Sequence, residues 1–329
     1  MSIGAELELI PFDVETLRIV PVDGGAGKAS LPILRDIAAH ARWIEVPAGS
    51  DAPSWILPGG DRVSFEPGGQ IELSSATSAT ASALIRDLQC AVQLMTASFE
   101  RDGILLEAVG VDPYNRIEDI ELQLHRPRYE RMTRYFDSIG QSGARMMRQT
   151  ASLQINVEAG ANPHERWALL NSLAPYITAI FSNSPMYERH ANGQRSQRAY
   201  LWRTLDPTRT GLPLDRNDPA GAYTRFALDA GAMMYGGDAP YPSFADWLLS
   251  GEPTIEDWDL HLTTLFPEVR PRHYFELRSA DAIPAQYLAA PIAFVTGLVY
   301  DAGSARDAAA SLGVADSALL ETAGRVGLA

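Results

Sequence analysis

The feature that most constrains this chain is a period-two alternation in which the polar partner is repeatedly a carboxylate or an amide. Glu6 and Glu8 alternate with Leu7 and Leu9, Ser64 and Glu66 with Val63 and Phe65, and Gln70 and Glu72 with Ile71 and Leu73. In the central stretch Ser152, Gln154 and Asn156 alternate with Leu153, Ile155 and Val157, and near the C-terminus Glu276 and Arg278 alternate with Phe275 and Leu277. Residues i and i+2 of a strand share a face about 6.5–7 Å apart, so each segment reads as a strand with one apolar and one polar face, the pattern of a half-buried antiparallel sheet. Alternation alone describes a solvated face. Composition argues for more, because a solvated face mixes Lys and Thr with Glu, whereas these strands carry carboxylates, amides and one arginine. Clustered carboxylates repel one another unless cations lie between them, and hard oxygen donors without cysteine point to Mg²⁺ or Mn²⁺ rather than zinc. Such cations, with arginines nearby, form a clamp suited to a transferring phosphoryl group.

Gly- and Pro-rich turns at Asp23-Gly24-Gly25, Pro58-Gly59-Gly60-Asp61 and Pro67-Gly68-Gly69 punctuate the first 74 residues and mark hairpins. The spacing of Leu31, Leu34, Ile37 and Ala38 predicts a helix over 30–42, and further helices are expected over 79–101, 128–138 and 163–181, the last opened by Pro163. Strands are expected over 104–109, 150–157 and 273–279, with a helical remainder from 284. The stretch 182–219 reads as a long loop carrying arginines at 189, 195, 198, 203, 209 and 216. With no repeat or linker, 1–329 is expected to form one α+β domain, helices outside an antiparallel sheet.

The balance of 27 basic against 41 acidic residues gives a net charge of −14, which disfavours non-specific binding to nucleic acid or an anionic membrane surface. All basic residues but Lys28 are arginines, so a Schiff-base lysine is not expected elsewhere. The single cysteine, Cys90, excludes an internal disulfide and cysteine-rich metal sites, and its helical setting reads as a buried thiol. Neither a signal peptide nor an apolar run of membrane-spanning length is seen, and a soluble cytoplasmic protein is expected. Lys28 in GGAGKAS resembles a fragment of a phosphate loop, but Val22 replaces the first glycine and Ala29 the Ser/Thr. No GxGxxG, HExxH or GxSxG is present. His261 and His273 flank the Arg270/Arg272 segment and read as structural more readily than as substrate contacts.

The segments FEPGGQIELS, MMRQTASLQINVE, FSNSPMYERHANGQRSQRAYLWRTLDPTRTG and HLTTLFPEVRPRHYFELR together resemble the plant and bacterial type of glutamate–cysteine ligase, which includes the ergothioneine-pathway ligase of actinobacteria. The motifs run in order from Gly4 to about residue 300. The resemblance implies the glutamine-synthetase-like catalytic bowl and a ligation in which glutamate is activated by ATP as an acyl phosphate, then captured by the amine of cysteine. A different acid or amine, or a non-catalytic nucleotide- or amino-acid-binding relative, would carry nearly the same motifs. By resemblance, Glu6, Glu8, Glu72 and Glu276 are metal carboxylates, and Glu66 is a further ligand or a group orienting glutamate. Arg270 and Arg272 lie near the nucleotide, and Arg278 is aimed at phosphates or the acyl phosphate. Arg198 and Arg209 are candidates for the glutamate α-carboxylate, since a guanidinium grips a carboxylate bidentately. Arg148 and Thr150 are expected to line the same pocket, and Gln154, on the central strand, to complete a coordination shell or contact substrate. The resemblance also implies a chain short at both ends, with a second copy or a partner completing the C-terminal side.

Overall fold

The computed structural model describes residues 1–329 except 26, 50, 214, 216 and 329, so Arg216 lies outside the described residues. In chain order the elements are β1 (Ile3–Asp13), α1 (Ser30–Ala41), β2 (Ile44–Ala48), β3 (Asp51–Ile56), β4 (Arg62–Phe65), β5 (Ile71–Ser74), α2 (Ala81–Arg101) and β6 (Ile104–Glu107). There follow α3 (Pro127–Asp137), α4 (Ser142–Gln149), β7 (Ser152–Glu158), α5 (Pro163–Ile180), β8 (Met186–Tyr187), β9 (His190–Ala191), α6 (Gln197–Leu205) and α7 (Pro207–Thr210). The chain ends with α8 (Pro219–Asp229), α9 (Phe244–Leu249), α10 (Ile255–Leu262), β10 (Val269–Pro271), β11 (Tyr274–Asp281), α11 (Ala289–Tyr300), α12 (Ala302–Ser311) and α13 (Ser317–Val326).

Among the described residues nine strands form one antiparallel sheet in the order β10-β11-β7-β1-β5-β4-β3-β2, with β6 pairing the far end of β1. The long strand β1 is the hub: residues 3–7 pair β7, 6–9 pair β5 and 10–13 pair β6. Its apolar residues Leu7 and Leu9 are buried in the main core with Leu73, Leu153, Ile155 and Leu277. Beneath this face lie α2 and α5. The N-cap Thr80 accepts from Ala83 N, and α2 then buries Leu84, Leu88, Val92, Met95 and Phe99, each worth up to about 1.5–3 kcal/mol when removed from water. Trp167 of α5 packs on Phe275 of β11, ring centroids 5.5 Å apart.

The large antiparallel sheet and the helices at 30–41, 81–101, 127–137 and 163–180 agree with the sequence reading. Helices α3, α4 and α6 wall the polar face of the sheet. Two expectations are corrected. The stretch 182–219 is not one long loop but holds the β8–β9 hairpin, α6 and α7. Ser196 caps α6 through Ala199 N, and Asp206 caps α7 through Thr208 N. Cys90 is exposed rather than buried, since the buried stripe of α2 runs through Leu88, Ala91 and Val92 and leaves the thiol beside it. Among the described residues no single helix is long and apolar enough to cross a membrane.

Candidate active site

The polar face of the sheet forms the floor of a cavity of about 240 Å³. Glu6, Glu8, Glu66, Glu72, Thr150, Ser152 and Gln154 line it from β1, the β4–β5 hairpin and the β7 edge; Arg198, Arg270, Arg272 and Arg278 line it from α6, β10 and β11. Strand register explains the grouping. Glu8 sits directly across from Glu72, Glu72 across from Ser64, Glu6 across from Gln154, and Glu276 is flanked by Asn156 on one side and Arg270 on the other. The cavity is therefore polarised, with carboxylates on the β1/β4/β5 side, arginines on the β10/β11/α6 side and the amides of β7 between.

On the acidic side Glu8 accepts from Ser152 N at 2.7 Å and from Gln154 Nε2 at 3.3 Å, Glu72 accepts from the hydroxyls of Ser74 (2.7 Å) and Ser64 (3.4 Å), and Glu6 accepts from Asn156 Nδ2 at 3.0 Å. Burial and the neighbouring Glu72 and Glu276 charges push Glu6 up to about 7. Burial likewise raises Glu8, Glu72 and, most strongly, Glu66, whose carboxyl is further raised by Glu72 and Glu8. Four carboxyls crowded in this way share protons or a cation. Asn156 Oδ1 is buried with no partner, which adds a free amide oxygen beside these carboxyls.

The donor set fits a hard cation. Among the described residues no three acidic, histidine or cysteine side chains close into a ready cage, so a cation here would depend on water and substrate oxygens for the rest of its shell, as Mg²⁺ commonly does. Glu276 departs from its expected role as a metal carboxylate. Both its oxygens are taken: Oε2 accepts from Arg270 Nε at 2.5 Å, and Oε1 accepts from Arg270 Nη2 and Arg278 Nη1, each at 3.0 Å. Burial would raise this carboxyl, but Arg278 and Arg270 overcome that and hold it at about 2. Glu276 anchors arginines because β10 places Arg270 directly across from it and the strand period places Arg278 on the same face.

Arg278 also donates to Gln154 Oε1 at 2.7 Å, and Arg198 donates to the Arg278 carbonyl at 2.9 Å. Asp281 ties the segment before α6 to the sheet: it accepts from Asn183 N, Ser184 Oγ and Ser196 Oγ at 2.7–2.9 Å. This explains why the FSNSP and SQR runs carry small hydroxyls, and it fixes the start of the helix bearing Arg198.

Two expected substrate residues are not brought to the cavity. Arg209 is fully buried, donating to Asp206, the Thr264 carbonyl and the Gly231 carbonyl, with its guanidinium 4.7 Å over the Tyr135 ring. It fastens α7 to the segment before Phe266. Arg148 turns away to the Ile120 carbonyl at 2.7 Å; what its residue gives the site is backbone, since a Cβ on Gly68 would fall 2.4 Å from the Arg148 carbonyl oxygen. Gly68→Ala is accordingly expected to displace the Glu66–Glu72 hairpin and cost about 1–3 kcal/mol or more, whereas Arg148→Ala costs less; thermal unfolding of the two variants checks the order. Thr150 lines the cavity while its hydroxyl donates to the Met146 carbonyl at 2.6 Å. Lys28 is occupied by Asp13 at 2.7 Å and the Gly103 carbonyl. His261 is buried against Phe244 and Trp258, far from the role of a substrate contact.

Sequence reasoning missed Arg128 and the apolar wall of Tyr129, Met132, Met146, Met147, Trp202 and Phe266. Arg128 donates to the Thr263 carbonyl at 2.9 Å, and its Nε is buried without a partner. The RPRYERM run held the signal, an arginine at the first turn of a helix whose apolar residues recur at helical spacing.

The sequence model of glutamate-cysteine ligase family 2 matches residues 2–323. The chain belongs to that family. It is 36% identical over 313 residues to the glutamate–cysteine ligase EgtA of Mycolicibacterium smegmatis, covering 87% of this chain and 72% of the relative. It is 35% identical to the chloroplastic glutamate–cysteine ligases of Brassica juncea and Arabidopsis thaliana, each over 91% of this chain. The chain spans only 60% and 59% of the length of those two plant proteins. In structure it resembles the glutamate–cysteine ligase of Francisella tularensis, solved in complex with AMP, with a TM-score of 0.54, 13% identity, and 99% of this chain and 72% of that chain covered. A bifunctional glutathione synthetase from Pasteurella multocida matches with a TM-score of 0.52 at 12% identity, over 99% of this chain and 40% of that one. These two likenesses show that the chain shares its fold with those two proteins.

Proposed function

We propose that this chain joins the γ-carboxylate of glutamate to the amine of cysteine, converting ATP to ADP and phosphate through a γ-glutamyl phosphate. The single observation that carries the reading is the polarised cavity, carboxylates facing arginines across the amides of β7. Support comes from the family membership and from the 36% identity to a glutamate–cysteine ligase. In this reading the γ-carboxylate oxygen attacks the γ-phosphorus and ADP leaves; the amine then attacks the acyl carbon, the acyl–oxygen bond breaks and phosphate departs. Arg270, Arg272 and Arg278 bind the phosphates, and Arg278, fixed by Glu276 and Gln154, meets the charge that develops on transfer. Arg198 binds the α-carboxylate of glutamate. Glu66 takes the proton the amine releases. Glu6, Glu8 and Glu72 would hold Mg²⁺, which when bound neutralises phosphate charge. Catalysis then rests on positioning and electrostatics, with no covalent enzyme intermediate.

The test is ADP release from Mg²⁺ and ATP against a panel of acids and amines, with products weighed by mass spectrometry. Glutamate plus cysteine is expected to give γ-glutamylcysteine. ADP release with another pair alone reassigns the substrates, and ATP binding without turnover on any pair overturns the catalytic reading.

A further inference from the structure

Arg198 is only 3% exposed, and among the described residues no carboxylate lies within ion-pairing distance of it. A buried guanidinium with no anion is costly unless something offsets the lost water. The Glu8 and Asp281 carboxylates do so in part from beyond ion-pairing distance, and two direct contacts add to them. One is the donation to the Arg278 carbonyl; the other is the indole of Trp202, one helical turn on, whose ring centroid lies 4.8 Å from the Arg198 guanidinium carbon. The same indole lies 5.6 Å from the guanidinium carbon of Arg278. Two like charges thus converge on one aromatic ring, whose negative face attracts both. The ring itself is fixed: Trp202 is 6% exposed, its Nε1 donates to the Phe266 carbonyl at 2.8 Å, and it meets the Phe266 ring edge-on.

We propose that Trp202 is a positioning residue that holds the Arg198 and Arg278 guanidinium groups side by side, leaving the rest of the Arg198 fork open for the carboxylate of the acid substrate. The inference rests on the function proposed above for its substrate, though not for its geometry. In direct contact Arg278 keeps Glu276 and Gln154 when the ring is removed, whereas Arg198 keeps only a carbonyl, so the loss falls mainly on Arg198.

The experiment compares wild type, Trp202→Phe and Trp202→Leu in two measurements without turnover. Calorimetric titration with glutamate is expected to give an affinity within about threefold of wild type for Trp202→Phe, which keeps an aromatic face, and a loss of at least about tenfold for Trp202→Leu. Nitrogen-15 arginine spectra without ligand are expected to show the Arg198 Nε–H proton displaced by the aromatic ring in wild type and Trp202→Phe, and at an ordinary position in Trp202→Leu. Trp202→Met replaces the leucine variant if that one fails to fold. Unchanged glutamate affinity in the ringless variant, or an equal loss in the two variants, overturns the positioning role. Failure of wild type to bind glutamate overturns the substrate reading instead, and the arginine spectra still decide whether the ring holds Arg198.

Discussion

Glu276→Gln is expected to lower ADP release at least about a hundredfold while the sheet still forms. The carboxylate is 1% exposed and serves two guanidinium groups at once, with Arg272 Nε a further 3.7 Å away. Glutamine keeps the size and one acceptor oxygen but turns an NH₂ group toward an arginine N–H and removes the charge that balances three cations. Breaking a buried pair from one side costs about 3–5 kcal/mol, most of it from the uncompensated partner. The cost falls on Arg270 and Arg278, the groups assigned to the phosphates, so turnover suffers more than folding. The acid limb gives an independent check. Because the Glu276 carboxyl is held at about 2, below its ordinary 4.5, its contribution to stability is complete above 4.5 and is lost as pH falls toward 2. Unfolding followed across that window should be steeper in wild type than in Glu276→Gln. Wild-type turnover in the variant would remove Glu276 from the machinery.

The carboxylate side of the cavity makes the opposite prediction. Glu6 is raised from 4.5 to about 7 by burial and by Glu72 and Glu276, so between those values the folded protein binds more protons than the unfolded chain. Its contribution is present below 4.5 and lost as pH rises through 7, an effect on the order of 3 kcal/mol before solvent screening of this half-buried group reduces it. Metal-free wild type should therefore lose thermal stability relative to Glu6→Gln as pH climbs from 5 to 7.5. Millimolar Mg²⁺ should restore wild type at the high end and leave the variant nearly unmoved, because a divalent ion between carboxylates replaces the shared protons. Parallel melting curves for the two proteins at every pH, with or without Mg²⁺, would contradict a cation site built on Glu6.

How much of this was legible in the sequence depends on how local each cause is. Period-two alternation places Glu6, Glu8, Glu66, Glu72, Gln154 and Arg278 on one face, and the structure puts all six around one cavity, because side-chain alternation in a strand is a property of the backbone alone. The capped helices α6 and α7 were hidden by the polar, arginine-rich composition of 182–219. Arginine roles were the least legible. Arg198, Arg209 and Arg148 look alike as residues in motifs, yet Arg209 is enclosed by carbonyls 22 and 55 positions away in the chain. Arg148 caps the path of the 120s segment. Only tertiary neighbours separate an arginine open to a ligand from one spent on the fold. Glu276 shows the same limit: the strand pattern gives its face, but the Arg270 that occupies it arrives from an adjacent strand.

The most direct measurement of the central claim follows a single oxygen atom. With glutamate labelled by oxygen-18 in its γ-carboxylate, ATP, Mg²⁺ and cysteine, the polarised cavity is expected to transfer one labelled oxygen to the phosphate released, since that oxygen bridges carbon and phosphorus in the proposed acyl phosphate. Phosphate carrying one oxygen-18 per γ-glutamylcysteine formed is the predicted result. Product formed with unlabelled phosphate would contradict the account, because the carboxylate would then never have been joined to phosphorus.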